Sequence, residues 1–469
     1  MYNTPGWWVR DRCILPLRAR PHTNRFRMKQ RLRFRMNTTP CSKNCHSILS
    51  VRLLVIAAAL MCLGSNGTER DIYRSDVLTF YGEKNVAADS LTHDSFIVTL
   101  DCRTLNSKQT PTKYTISLRG VDPVEKALFQ DAQSGKWQNF DLFRAAMVAE
   151  GIRDIELIRN YEARLDAVVA KVRITVGKNP SQQVLTRSLF EAMHKEILTK
   201  PYSLDCTELS KVMKTGHFNC VSATVLFNCL AEKAGLNVCA IETKGHALSR
   251  VKFTEGVAMD LETTCPTWFD LQNDKERQMA TLERVAVPVP AKSDPATAQN
   301  AVSATPEPAV ELPSEYREIS PVQLVATIYY NIGVDLHAKT CNPEAAAANI
   351  KALYLDKNNE QAWTNLLVSM NNWALDVASE KMGQRYDVAT ILLDIGVALD
   401  PTYANFRSNY VYVFHYWIQG LAELGRFDDA RKVFALANVE ERVPQNKHLQ
   451  DLIDSVNQSE MKIKQSRGQ

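Results

Sequence analysis

Three residue types fall in an order that suits acyl transfer: Cys220, then His246 26 positions later, then Asp260 14 beyond that. A thiolate can attack a carbonyl carbon, an imidazole can carry the proton to the leaving group, and a carboxylate can hold the imidazole in the productive tautomer. Cys220 follows Asn219, a residue type favoured at helix N-caps, and Val221, Val225, Leu226, Cys229 and Leu230 recur behind it at helical spacing. A cysteine at a helix start meets unpaired N–H groups and the positive end of the helix dipole, and both favour the thiolate. The same N–H groups can face the oxyanion that forms when sulfur attacks a carbonyl.

Each position also has a rival or a plainer reading. A cysteine inside an apolar helix is usually a small core residue, and Cys229 and Cys239, one mid-helix and one in a strand, are read that way. His217, three residues before Cys220, is a rival base expected to be solvated or to aid substrate binding, and His246 is preferred on order and spacing. Glu262 competes with Asp260, because residues two apart on a strand share a face. Trp268 and Phe269 are read as core rather than site. The candidate catalytic set is Cys220, His246 and Asp260, with no residue assigned to a cofactor or a metal. There is no CxxC pair and no Cys/His cluster at zinc spacing.

The elements that must position these residues are legible from period and punctuation. Gly235 closes the helix that starts at Cys220, and Val238 to Glu242, Ala247 to Phe253 and Val257 to Glu262 read as strands separated by Lys244-Gly245 and Thr254-Glu-Gly256. One helix on an antiparallel sheet gives an α+β core. Upstream, Ile158, Tyr161, Leu165, Val168 and Val172, then Leu189, Phe190, Met193 and Ile197, predict two amphipathic helices. Ser95 to Leu100 and Tyr114 to Leu118 alternate as short strands, so residues 65–137 are expected to be a small β-rich segment.

Gly216-His-Phe-Asn-Cys-Val-Ser-Ala223, Ala231 through Gly235-Leu-Asn-Val238, Gly245-His246-Ala247 and Asp260-Leu-Glu-Thr-Thr264 together resemble the transglutaminase-like superfamily. The resemblance covers about residues 140–285, with the domain placed at 138–285, and it includes a group many of whose members lack the catalytic cysteine; this chain keeps it. It implies a papain/transglutaminase-like α+β fold and a papain-type mechanism. Cys220 would be nucleophile, His246 the base and Asp260 the orienting acid, with peptide or protein amides as substrates. The family's more typical aromatic residue after the cysteine is replaced by Val221. Cross-linking, hydrolysis and deamidation remain open as outcomes.

Residues 1–52 hold twelve Lys and Arg against one acid, Asp11, a net +11 that leaves −7 of the total +4 for the rest of the chain. The acidic body gives no electrostatic reason to bind nucleic acid. The uncharged run from Leu53 to Gly64 spans twelve residues. It is too short to cross a membrane, and after a basic stretch it reads as a signal-peptide core. Residues 1–64 are therefore a basic leader, with Met28 or Met36 as alternative starts, and an exported destination in the periplasm, at the envelope or outside is expected. Membrane association would come only through an uncleaved leader or a lipid on Cys62. Seven cysteines follow Gly64, an odd number that leaves at least one thiol unpaired.

Proline, alanine, threonine and serine dominate between Val285 and Ser314, so residues 286–315 are a linker. Residues 316–460 regain helical period. Leu355-Asp-Lys-Asn-Asn and Leu399-Asp-Pro-Thr-Tyr occupy equivalent turns 44 residues apart, and Gly425-Arg-Phe-Asp-Asp-Ala430 has the turn of a helical hairpin. This half resembles a tetratricopeptide-repeat (TPR) array with an insertion around Ala378 to Gln384, which implies an all-α repeat domain and a protein partner on its concave surface. The alternative to an enzyme is a non-catalytic scaffold whose transglutaminase-like domain is a degenerate peptide-binding platform.

Overall fold

The alternating runs near the start of the body form strands, as their period requires. The computed structural model describes residues 73–74, 78–82, 95–104, 113–243, 245–273, 316–379, 383–439 and 442–467. The basic leader, the apolar run at 53–64 and the 286–315 segment lie outside the described residues. β1 (Tyr73–Arg74), β2 (Leu78–Gly82), β3 (Ser95–Asp101) and β4 (Lys113–Arg119) make an antiparallel sheet in the order β1-β2-β4-β3. On β4, Tyr114, Ile116 and Leu118 are buried, a period of two that places them on one face.

Four helices follow: α1 (Pro123–Ala132), α2 (Leu142–Ala149), α3 (Ile155–Val176) and α4 (Gln182–Glu196). Asp122, Asp141, Asp154 and Ser181 cap them, each side chain accepting a backbone N–H that the helix leaves unpaired. Leu165, Val168 and Val172 on α3, and Leu189, Phe190 and Met193 on α4, are buried as their stripes predict.

α5 (Leu209–Thr215) ends at Gly216 and hands the chain to the central helix α6 (Cys220–Lys233). Gly216 has φ of +78°, and a Cβ there would lie 2.4 Å from Thr199 Oγ1 and 3.1 Å from Ile197 O. Glycine alone suits both the left-handed backbone and the close approach. All residues of α6 from Cys220 to Ala231 are buried, so the helix is enclosed on every side and not only along the apolar face its sequence predicts. Its polar positions are paired inside. Ser222 Oγ donates to Cys206 O at 2.7 Å, Thr224 Oγ1 meets Thr263 Oγ1 at 2.9 Å, and Asn228 Oδ1 accepts from Ser249 Oγ at 2.7 Å.

The second antiparallel sheet has the order β7-β6-β5-β8, from β5 (Asn237–Thr243), β6 (His246–Lys252), β7 (Ala258–Leu261) and β8 (Arg317–Ile319). The three strands expected between 238 and 262 are present. The fourth comes from beyond the 286–315 segment and pairs Ile319 with Ala240 on the far edge of β5. α6 lies on the face of β6 that carries Ser249.

From Pro321 onward the described chain is helical: α7 (Pro321–Ala338), α8 (Asn342–Leu355), α9 (Glu360–Ala378), α10 (Tyr386–Leu399), α11 (Ala404–Glu423), α12 (Phe427–Ala437) and α13 (Lys447–Arg467). A mixed α/β region is thus followed by a helical one. The turns after α8 and α10 each bury an aspartate, Asp356 and Asp400, and each takes an N–H two residues on: Asn358 N at 3.3 Å and Thr402 N at 2.9 Å. Each also receives an arginine, one from β8 and one from just after β3. Arg317 Nη1 stands 2.9 Å from Asp356 and Arg103 Nε 3.6 Å from Asp400. Arg317 pairs with Glu242 of β5 as well, and Tyr329 of α7 donates to Glu125 of α1 at 2.7 Å. One hydrophobic core runs through both regions.

Arg317→Ala strands the Asp356 carboxylate, which is 1% exposed. The loss expected in equilibrium urea unfolding is about 2–4 kcal/mol, below the figure for a fully buried pair because the guanidinium is partly wet. An unchanged urea midpoint would show that the clamp contributes nothing.

Candidate active site

The site is built on the cap of α6. Asn219 Oδ1 accepts from Ser222 N at 3.0 Å while Ser222 Oγ accepts from Asn219 N at 2.9 Å, a reciprocal capping box. Asn219 Nδ2 donates to Leu204 O at 3.0 Å and Thr207 Oγ1 at 2.7 Å, and Ser203 N donates to Phe218 O at 2.8 Å. The loop before the helix is therefore pinned, and Cys220 stands at the first helical position. The free N–H groups of that turn and the dipole favour a negative sulfur there.

His246 opens β6, opposite Thr243 of β5 across the hairpin turn. Its Nε2 lies 2.8 Å from Glu262 Oε2, which leaves Nδ1 as the nitrogen that can meet the thiol. Glu262 Oε1 accepts from Thr264 N at 3.0 Å, and the carboxylate is 1% exposed. Structure brings Cys220 and His246 together and does not bring Asp260 to them. Asp260 faces Arg250, with Oδ1 2.6 Å from Nε and Oδ2 2.8 Å from Nη2.

The correction has a physical cause. Asp260 is paired with Arg250 in register, and by alternation both point away from the Ser249 face that packs on α6. The pleat stops at Leu261, so Glu262 is free of the alternation that would put it beside Asp260. There the chain turns, with Cys265 N donating to Glu262 O at 3.1 Å and Thr263 joining Thr224 of α6. Glu262 is carried to the imidazole.

Burial pushes a thiol up, as it does at Cys229, which stands well above the ordinary value, and at Cys239, which reaches about 11. Burial acts on Cys220 too, but the charge and hydrogen bond of His246 and the N–H of Ala247 outweigh it, and the pKa is lowered. His246 is pulled down by burial and lifted further by the charges of Glu262 and Cys220, to about 10. Glu262 is raised by burial and held below the ordinary carboxylate value by His246 and Thr264. The two shifts run in the direction that favours a thiolate beside an imidazolium, the pair needed for nucleophilic attack followed by proton donation.

A tyrosine reaches the same sulfur, and sequence patterning gave no signal for it. Tyr202, 44% exposed as a residue, sets its hydroxyl against Cys220, where burial and the thiolate drive its pKa up. Its ring meets Phe218 edge-on at 6.2 Å. Tyr330 of α7 is raised by burial and also feels the charge of Cys220. His217, the rival base, is held by Pro201 O at 2.9 Å on Nδ1. His194 packs on Phe190 and Phe218, and burial takes it down to about 4, so it stays neutral. Trp268 and Phe269 are buried, with Trp268 Nε1 donating to Asp260 O at 3.2 Å. All seven described cysteines are free thiols.

No family model, curated protein or solved structure gives a significant match to the chain.

Proposed function

We propose that the protein is an exported thiol enzyme of transglutaminase-like type that uses Cys220, His246 and Glu262 for acyl transfer or hydrolysis on peptide or protein amides. The observation that carries this reading is a cysteine at the start of a buried helix beside a histidine whose Nε2 lies 2.8 Å from a buried carboxylate, an arrangement that lowers the thiol's pKa. A binding platform has no need of a thiol, an imidazole and a carboxylate assembled in so dry a place. The resemblance of residues 140–285 to transglutaminase-like proteins and of the helical region to TPR arrays adds a recruiting role for the second half. Export rests on the basic leader and the apolar run at 53–64; no helix among the described residues is long and apolar enough to cross a membrane.

In the first half-reaction the thiolate of Cys220 forms a C–S bond to the carbonyl carbon, and the π electrons move to oxygen, which faces the N–H groups at the start of α6. The imidazolium of His246 gives its proton to the amide nitrogen as the C–N bond breaks. An amine leaves and a thioester remains. Neutral His246 then takes a proton from water or an acceptor amine, which attacks the thioester and releases the sulfur as thiolate. Glu262 holds the ring throughout.

The test is a burst experiment with p-nitrophenyl acetate. About one equivalent of p-nitrophenolate is expected per protein, with an acetyl group found on the peptide containing Cys220 and neither signal in Cys220→Ala. A burst that survives Cys220→Ala contradicts the assignment.

A further inference from the structure

We propose that Glu150 is a positioning residue for Cys220: its carboxyl, at the end of α2, holds the start of α5 and, through Cys206 and Thr207, the turn on which the thiol sits. The proposal rests on the thiol-enzyme reading above and deepens it with a residue that acts on the site through the backbone. α5 has only seven residues, and its N-cap residue, Glu208, makes no side-chain bond to the helix. So short a helix is marginal without partners from outside. Glu150 supplies them, its Oε1 accepting from Leu209 N and its Oε2 from Ser210 N, the latter at 3.0 Å. Near the other end, Arg164 Nη1 of α3 donates to Met213 O at 2.6 Å. An acid at the first N–H groups and a guanidinium on a late carbonyl suit the two ends of the helix dipole.

The two residues just before Glu208 carry the bonds that fix the start of α6. Cys206 O accepts from Ser222 Oγ at 2.7 Å, and Thr207 Oγ1 accepts from Asn219 Nδ2 at 2.7 Å. Asn219 and Ser222 are the capping box that brackets Cys220. A continuous path of hydrogen bonds thus runs from Glu150 to Leu209 and Ser210, back along the chain to Thr207 and Cys206, and across to the two residues that frame the cysteine. The place Glu150 occupies is a costly one for a carboxyl. It is the C-cap of α2, at the negative end of its own helix dipole, and burial, with the nearby charge of Glu208, lifts its pKa to about 8 against the pull of the two N–H groups. An apolar side chain would fill that place at lower cost and leave the first N–H groups of α5 unpaired.

The test is the acylation rate of the full-length protein with p-nitrophenyl acetate at pH 7, read from the burst, with iodoacetamide alkylation of Cys220 and the urea midpoint measured beside it. Glu150→Ala is expected to slow both reactions of Cys220 about tenfold in folded protein, with KM for the ester within about twofold of wild type. Glu150→Gln, which keeps an acceptor oxygen, is expected to lose no more than about threefold. Thr207→Val interrupts the same path nearer the sulfur, so the double variant with Glu150→Ala is expected to be no slower than the slower single one. A purely structural role would lower the urea midpoint and leave both rates within about twofold of wild type. That result overturns the proposal, as does full additivity in the double variant. Should Glu150→Ala fail to fold, Glu150→Asp, one methylene short of the two N–H groups, takes its place with the same two outcomes. A wild-type burst that is absent, or that survives Cys220→Ala, overturns the thiol-enzyme reading and this proposal with it; a Cys220-dependent burst that Glu150→Ala leaves unchanged overturns this proposal alone.

Discussion

Glu262→Gln is expected to lower kcat/KM for acyl transfer by roughly 10²–10⁴-fold, while Asp260→Asn leaves it within about threefold. Glutamine keeps the size of the side chain and removes its charge. His246 then loses the carboxylate that lifts its pKa, the imidazolium gives up its proton more readily, and the thiolate loses its counter-charge. Asp260 touches neither Cys220 nor His246 in this arrangement. Its neutralisation breaks the paired contacts to Arg250, and a stability loss of about 1–2 kcal/mol is expected, modest because both side chains keep contact with water. Rates with p-nitrophenyl acetate, taken beside urea unfolding, separate the two effects. The opposite ranking of rates would return the acid's role to Asp260.

His246→Ala carries the second large effect. Without the imidazolium, burial acts on the Cys220 thiol unopposed, and its pKa is expected to rise past the ordinary thiol value. Alkylation follows the thiolate. In the wild type a lowered pKa keeps the rate up as pH falls from 9 toward neutrality; in the variant the thiolate is already scarce at 9. Each unit of rise removes about tenfold of rate at pH 7, so a loss of at least about tenfold is expected there. A pH profile unchanged from the wild type would mean that His246 does not hold the charge.

The half of the site on α6 and β6 was legible because its signals are local. An asparagine before an apolar run predicts a helix start, and a glycine before a histidine predicts a turn into a strand; Asn219–Cys220 and Gly245–His246 obey both. The acid was harder. Asp260 and Glu262 differ only in which side of the last strand residue they occupy, and where a strand ends depends on its partner, not on its own sequence. The enclosure of α6 was hidden because Ser222, Thr224 and Asn228 interrupt the apolar stripe, and only the fold shows them paired inside. Tyr202 and Tyr330 lie 18 residues before and 110 after Cys220, in a loop and in a distant helix. No periodicity in either segment points to Cys220, and α7 is held against β5 by the β8 strand and the Arg317 clamp, contacts between segments far apart in the chain.

The most direct measurement is site-resolved alkylation of the native wild-type protein with limiting iodoacetamide across a pH series, followed by peptide mapping of every cysteine. Cys220 is expected to react well ahead of Cys229 and Cys239, whose thiols burial holds up, and to keep that lead as pH falls from 9 to 7. Modification of Cys220 no faster than that of Cys229 at pH 7 would contradict a thiolate at the start of α6.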